Sequence, residues 1–131
     1  MCFRNGRVNM KYYSRRLIKH EHLNPAGSLF GGQLLSWIDE EAAIFAGCQM
    51  KSRNHVTKLI SEINFMTAAK LGDVIEFGLE LISVGHTSIT VRCEVRNKQT
   101  LAPIVSIDKM VFVNVNEAGL PVPHGATADA A

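Results

Sequence analysis

The sequence predicts an α+β domain in which a curled antiparallel β-sheet wraps around one long central helix. Three observations lead there. Gly31 to Cys48, "GGQLLSWIDEEAAIFAGC", carries apolar side chains around nearly the whole helical circumference, and a helix of that kind belongs inside a protein. From Val56 onward the hydrophobic period changes to two, the signature of strands. The turns between those later segments are short, which makes consecutive strands hairpin neighbours.

Taken in order, "KYYSRRLIKH" (Lys11 to His20) reads as a first strand, and the Asn-Pro-Ala-Gly cluster at Asn24 to Gly27 forces a turn. The helix follows, with a polar stripe of little more than Gln33 and Glu40. "VTKLISEINF" (Val56 to Phe65) is the next strand, and Leu71-Gly72-Asp73 turns the chain. Ile75, Phe77, Leu79 and Leu81 then share one face against Glu76 and Glu80 on the other. After the Gly85-His86 turn, Ile89, Val91, Cys93 and Val95 point inward and Thr90, Arg92, Glu94 and Arg96 outward. A turn at "NKQT" leads to a final strand from Ile104 to Val115. The tail "LPVPHGATADAA" is rich in Pro, Ala and Gly and reads as loose. Residues 1–10 thus form an extension, 11–116 a single domain and 117–131 a tail. One helix covers only one sheet face, so the other face and the edges predict a homodimer.

Bulk properties narrow the function classes. At 131 residues and 47% hydrophobic, the chain is one domain that can bury a core without staples. A net charge of +2 from scattered basic residues does not point to nucleic acid. No run approaches the roughly 18 apolar residues of a membrane span, and "MCFRNGRVNM" has no apolar region of the secretory kind behind its charge. Cys2, Cys48 and Cys93 are odd in number and far apart, which reads as free thiols in a reducing, cytoplasmic setting. Cys48, with no His or Lys beside it, reads as a packing cysteine.

Asp39 is the residue that asks for an explanation. At about 100° per residue it falls between Gly32, Leu35, Ser36, Ala42, Ala43 and Ala46, none of them cationic. A carboxylate on a dry face makes a better base. On the residues alone, a structural carboxylate that caps a loop or pairs across a dimer is the preferred reading. The helix start at Gly31-Gly32 offers free backbone N–H groups and the positive end of the helix dipole, with no side chain to block a carbonyl. Gly32 lies two turns before Asp39 on the same face, which sets donors and carboxylate along one side of the helix. Asn24-Pro25 by itself reads as a turn. His20 and His22 lack a third ligand, so no metal is expected, and neither Ser28 nor Ser36 stands in a G-x-S-x-G elbow.

"HLNPAGSLFGGQLLSWIDEEAA", "INFMTAAKLGDVIEF" and "VGHTSITVRCEV" together resemble the acyl-coenzyme A thioesterases of the hotdog superfamily, nearest the bacterial YciA-like branch. The N-P-x-G-x-x-F-G-G loop followed by W-x-D-E is the specific part, and the likeness runs from about residue 12 to 124. The resemblance implies the hotdog fold and hydrolysis of acyl-CoA to free acid and coenzyme A, with no metal or redox cofactor. It makes Asp39 the general base or nucleophile and pairs it with Asn24 of the other subunit of a dimer, itself expected in a trimer of dimers. It places Gly85, Thr87 and Ser88 near the coenzyme A path, although Thr87 and Ser88 read equally well as turn residues. Arg92, Arg96 and Lys98 could supply charge to the phosphates, but a solvated strand face is the preferred reading of each. Two features depart from the family pattern: Glu62 and Asn64 make the strand after the helix more polar, and "MTAAKLGD" lacks a proline often found before that turn. A non-catalytic acyl-CoA sensor on the same fold is the alternative. A hotdog dehydratase would need a catalytic histidine at the helix loop, with His22 as the nearest.

Overall fold

The computed structural model describes residues 10–126; the expectations for Cys2, for most of the N-terminal extension and for the end of the tail lie outside them. Strand β1 (Lys11–Leu17) is followed by a single 3-10 turn (His20–His22) and helix α1 (Gly31–Met50). Then come β2 (His55–Ile60), β3 (Ile63–Phe65), β4 (Val74–Val84), β5 (Ser88–Asn97) and β6 (Pro103–Asn114). The strands form one antiparallel sheet in the order β1-β4-β5-β6-β2, with β3 also paired to β6. The segment expected as one strand from Val56 to Phe65 is broken at Ser61-Glu62. There Ser61 bonds Lys109 O through its N–H (2.8 Å), and its hydroxyl oxygen accepts the Lys109 N–H (3.1 Å). Of the two polar residues that departed from the family pattern, Glu62 lies at this break and Asn64 is within β3, paired with Ser106.

Helix α1 packs on the sheet through Leu34, Trp37, Ile38, Ala42, Ala46 and Met50. Ala42 and Ala46 are fully buried and let the helix backbone approach the sheet closely. The facing surface is Ile75, Phe77 and Leu79 of β4 and Ile89, Val91, Cys93 and Val95 of β5, the faces that the alternation predicted, together with Met110 and Phe112 of β6. Each large side chain buried there contributes about 1.5–3 kcal/mol. The helix is enclosed only on this side: Ser36, Glu40, Ile44 and Cys48 form an outer face open in the single chain, and Ile44 is 59% exposed.

Both helix ends are unusual. Phe30, in the N-cap position, supplies no side-chain cap, and no acidic residue occupies the first turn. At the other end Lys51 takes the left-handed conformation (φ 56°, ψ 43°) that glycine usually fills. A side chain there costs about 1 kcal/mol relative to glycine.

The outer sheet face holds a surprise. Glu76 and Glu80, expected to face solvent, are only 5% and 7% exposed. They stand directly across the β4–β5 ladder from Arg96 and Arg92. Arg96 Nε donates to Glu76 Oε2 (2.7 Å), and Arg15 approaches the same carboxylate at 3.6 Å. Arg92 reaches Glu80 (3.9 Å), Glu94 and Asp108 (3.5 Å). Long arginine stems laid over the sheet cover the carboxylates they pair with.

Candidate active site

The loop before α1 is organised by Asn24. Its N–H donates to Ser28 O (2.7 Å), and its carbonyl accepts the Gly27 N–H (2.9 Å). The side-chain Oδ1 accepts the N–H groups of Ala26 (2.9 Å) and Ser28 (3.0 Å). Gly27 closes the turn at φ +86°, where a Cβ would be strained. With Oδ1 doubly engaged, the amide can face only one way, and Nδ2 is left as a donor with no acceptor among the described residues. The turn reading and the functional one are therefore compatible: one end of the amide builds the loop and the other is presented outward.

The helix start adds donors beside it. The first helical bond is Leu34 N–H to Phe30 O (3.1 Å). The amides of Gly31, Gly32 and Gln33 precede it and have no acceptor among the described residues, as expected of an uncapped helix. Asn24 and Gly31 share the wall of a cleft of about 280 Å³ with Leu29, Leu34, Phe65, Met66 and Ile104, among others. Amide donors on an apolar wall, at the positive end of a helix dipole, suit a carbonyl oxygen that is gaining negative charge.

Asp39 is elsewhere. It sits half-buried on the side of α1 that faces β2, where Thr57 Oγ1 donates to its Oδ1 at 2.8 Å. Thr57 was not singled out from the sequence. It stands beside a β-bulge on an edge strand: Thr57 pairs with Phe112 and Leu59 with Val111, so Lys58 is the extra residue. Bulges of this kind re-aim neighbouring side chains. Gly32 and Asp39 do share a helix face, but seven residues of rise separate them by about 10 Å. Donors and carboxylate thus lie along one side of α1 but too far apart within one chain to reach a common carbonyl, in keeping with the pairing across a dimer that the resemblance implies.

The Gly85-Thr87-Ser88 turn is at the sheet end nearest the C-terminus of α1. Gly85 N–H donates to Ser88 O (2.9 Å), and a Cβ on Gly85 would stand 2.5 Å from Ser88 Oγ. Thr87 O accepts the Asn114 N–H (2.8 Å), and Ser52 Oγ donates to Asn114 Oδ1 (2.6 Å), which ties the turn to the loop after α1. Arg92 and Arg96 are committed to carboxylates on the outer sheet face, away from the helix.

Two further expectations change. The first strand, expected to run to His20, ends at Leu17, and His20 to His22 curl into the 3-10 turn, where His22 Nδ1 accepts the Lys19 N–H (3.0 Å) with its ring edge-on to Trp37. Among the described residues no three His, Cys, Asp or Glu side chains gather as a metal ion would need. Cys48 is exposed rather than packed, because its turn of the helix faces away from the sheet. Cys93 is buried, and burial pushes its thiol up to about 12. No helix among the described residues is long and apolar enough to cross a membrane.

One long helix laid against a curled six-stranded antiparallel sheet, with an asparagine loop at the helix start, is the hotdog architecture used for thioester chemistry. Residues 26–104 match the profile of the Thioesterase superfamily, and the chain belongs to that family. It is similar to an acyl-CoA thioester hydrolase of Buchnera aphidicola, 30% identical over 127 residues that cover 92% of this chain and 93% of that protein. Among solved structures it resembles the hexameric thioesterase from Yersinia pestis, with TM-score 0.80, 30% identity, and 88% and 95% of the two chains covered. It also resembles a hexameric broad-specificity acyl-coenzyme A thioesterase solved as an aspartate-to-alanine mutant. There the TM-score is 0.78 and the identity 25%, with 89% and 88% covered.

Proposed function

We propose that this chain hydrolyses acyl-CoA thioesters to a free carboxylic acid and coenzyme A, at sites shared between two copies. The observation that carries the reading is the division of the site. Asn24 and Gly31 line one cleft at the helix start, whereas Asp39 is held by Thr57 about 10 Å or more further along a rigid helix. Two copies joined at the β2 edge supply both halves. That edge is open and apolar, with Val56, Leu59, Ile60, Phe65 and Met66 all at least 38% exposed, as an unprotected edge strand that pairs with another chain would be.

In this arrangement the thioester carbonyl oxygen accepts hydrogen bonds from the Asn24 amide and the helix-start amides of one chain. Asp39 of the other takes a proton from water as the water attacks, or attacks the carbonyl itself. A thiolate leaves readily, because a thiol ionises near about 8.5, so the chemistry calls for no metal or redox cofactor. The hexamers of the similar solved structures favour a trimer of such dimers; the cytoplasmic setting and the YciA-like branch rest on the sequence reading alone.

Thiol release from a panel of acyl-CoAs, from acetyl to palmitoyl, tests the reading with wild type and Asp39→Asn. The expected result is turnover by wild type and a loss of at least ~100-fold in the variant, the scale of general-base catalysis. Wild type that binds acyl-CoA and releases no thiol is a sensor, and the hydrolase reading fails.

A further inference from the structure

Phe30 stands where a side chain normally serves the start of a helix. Its backbone is set as a cap requires, extended at φ −66° and ψ 129°. Its N–H donates to His22 O (2.9 Å) and its carbonyl accepts the Leu34 N–H (3.1 Å). Serine, threonine, aspartate or asparagine at this position accepts the second or third helical N–H, here Gly32 or Gln33. Phenylalanine has no atom with which to do so, and α1 carries no side-chain cap. Nor does Phe30 staple the helix entry to the core. The two stapling positions, one before the cap and four after it, are Leu29 and Leu34, and both are buried in the core.

The ring lies instead over the helix start. A Cβ on Gly32 would stand 2.7 Å from Phe30 Cε2 and 3.2 Å from its Cζ, and one on Gly31 would stand 3.7 Å from Cε1 and Cζ of Phe65. Successive residues point about 100° apart around the axis, so the two rings bracket the first turn from different sides. Phe65 belongs to the wall of the cleft beside Asn24, whereas Phe30 covers the side of Gly32, which is also the side of Asp39. Both rings are more than half exposed. An exposed aromatic ring in the cap position disfavours the single chain twice, through apolar surface left in water and through a bond not made. What it preserves is a first turn whose amides have no acceptor among the described residues, with an apolar ring rather than a hydroxyl or carboxylate beside them.

We infer that Phe30 is a positioning residue, which keeps the amides of the first turn of α1 uncapped and walled by an apolar ring, so that the acceptor they meet is the oxygen of the thioester. This rests on the proposed hydrolase reading. A cap oxygen would compete with the substrate for the same N–H. The competition would be felt most where the substrate oxygen carries the most charge, in the transition state. Stability and activity are therefore opposed at this position: the better the cap, the poorer the enzyme.

Serine and alanine differ here by one oxygen, so Phe30→Ser against Phe30→Ala isolates the cap. The serine variant is expected to have the higher urea midpoint. On butyryl-CoA it is expected to show about fivefold lower kcat than the alanine variant, the scale of the cap it makes, with KM unchanged within about twofold. Phe30→Leu restores an apolar cover without a cap and is expected to keep kcat within about twofold of wild type. A serine variant that matches or exceeds the alanine variant in kcat overturns the inference, as does a loss confined to KM. Gel filtration supplies a further refutation: if the leucine, alanine and serine variants lose activity only as they lose self-association, Phe30 is a contact between copies. If wild type cleaves no acyl-CoA, the hydrolase reading falls separately, and equilibrium binding of butyryl-CoA decides. About fivefold weaker binding by the serine than by the alanine variant then supports the role of Phe30, and equal binding overturns it.

Discussion

A mixture of two inactive variants should recover activity if the site is built from two chains. Asn24→Ala removes the outward amide donor together with the oxygen that holds Ala26 and Ser28, and Asp39→Asn removes the carboxylate. Neither homodimer has an intact site. In a hybrid dimer, one site combines both lesions, while the other joins an intact Asn24 to an intact Asp39. Random pairing at equal concentrations makes about half of the dimers hybrid, each with one working site in two, so the mixture should reach about one quarter of wild-type activity. The parents should each lie well below that: loss of a polarising donor costs about 2.7–4 kcal/mol, or roughly 100- to 1,000-fold. Co-expression with two different affinity tags, purification through both, and thiol release from butyryl-CoA provide the assay, and the doubly tagged hybrid alone should show about half of wild-type activity. A verified hybrid no more active than its parents would refute the division of the site between chains.

Three more outcomes follow from local geometry. Gly47→Ala gains helix propensity but places a Cβ 2.9 Å from both His55 Nε2 and the Ser52 carbonyl; the net expectation is a loss of about 1–2 kcal/mol, read from the urea midpoint. Iodoacetamide applied to the native protein should modify Cys48 and spare Cys93 until denaturant is added, as peptide mass spectrometry would show, because Cys93 is buried and its thiol is pushed up to about 12. Burial lowers the pKa of His55 below its ordinary 6.5, so the unfolded chain binds the extra proton first. Its contribution is therefore neutral above that value, and stability declines as pH falls from 6.5 toward the lowered folded value. Thermal unfolding from pH 7.5 to 5 should show less of this decline in His55→Gln than in wild type.

Much of the fold was legible because period is a local property. The inward set of Phe77, Leu79, Val91, Cys93 and Val95 follows from alternation alone, and all five are buried. Alternation could not say what the outward set would do. Glu76 and Glu80 are buried by arginines across the ladder, and that depends on register, which a single strand does not carry. Nor could periodicity tell Cys48 from a core residue, because a helix apolar all round does not say which side the sheet will take. Thr57 left the weakest trace of all. Its aim is set by a bulge at Lys58, and nothing in "HVTKLI" signals where an extra residue will fall.

The same limit explains the shape of the proposed site. A helical wheel gives angle and discards distance, so Gly32 and Asp39 look like partners when they are about 10 Å apart along the axis. A helix does not shorten to bring them together. A second chain removes the distance, provided that its helix start lies over the first chain's Asp39. A two-fold operation is its own inverse: whatever brings the partner's Asn24 to Asp39 also brings Asn24 to the partner's Asp39. In the proposed dimer, one interface along the exposed β2 edge would thus complete two sites at once. On this reading the exposed Val56, Leu59 and Ile60 and the separation of Asn24 from Asp39 have a single cause.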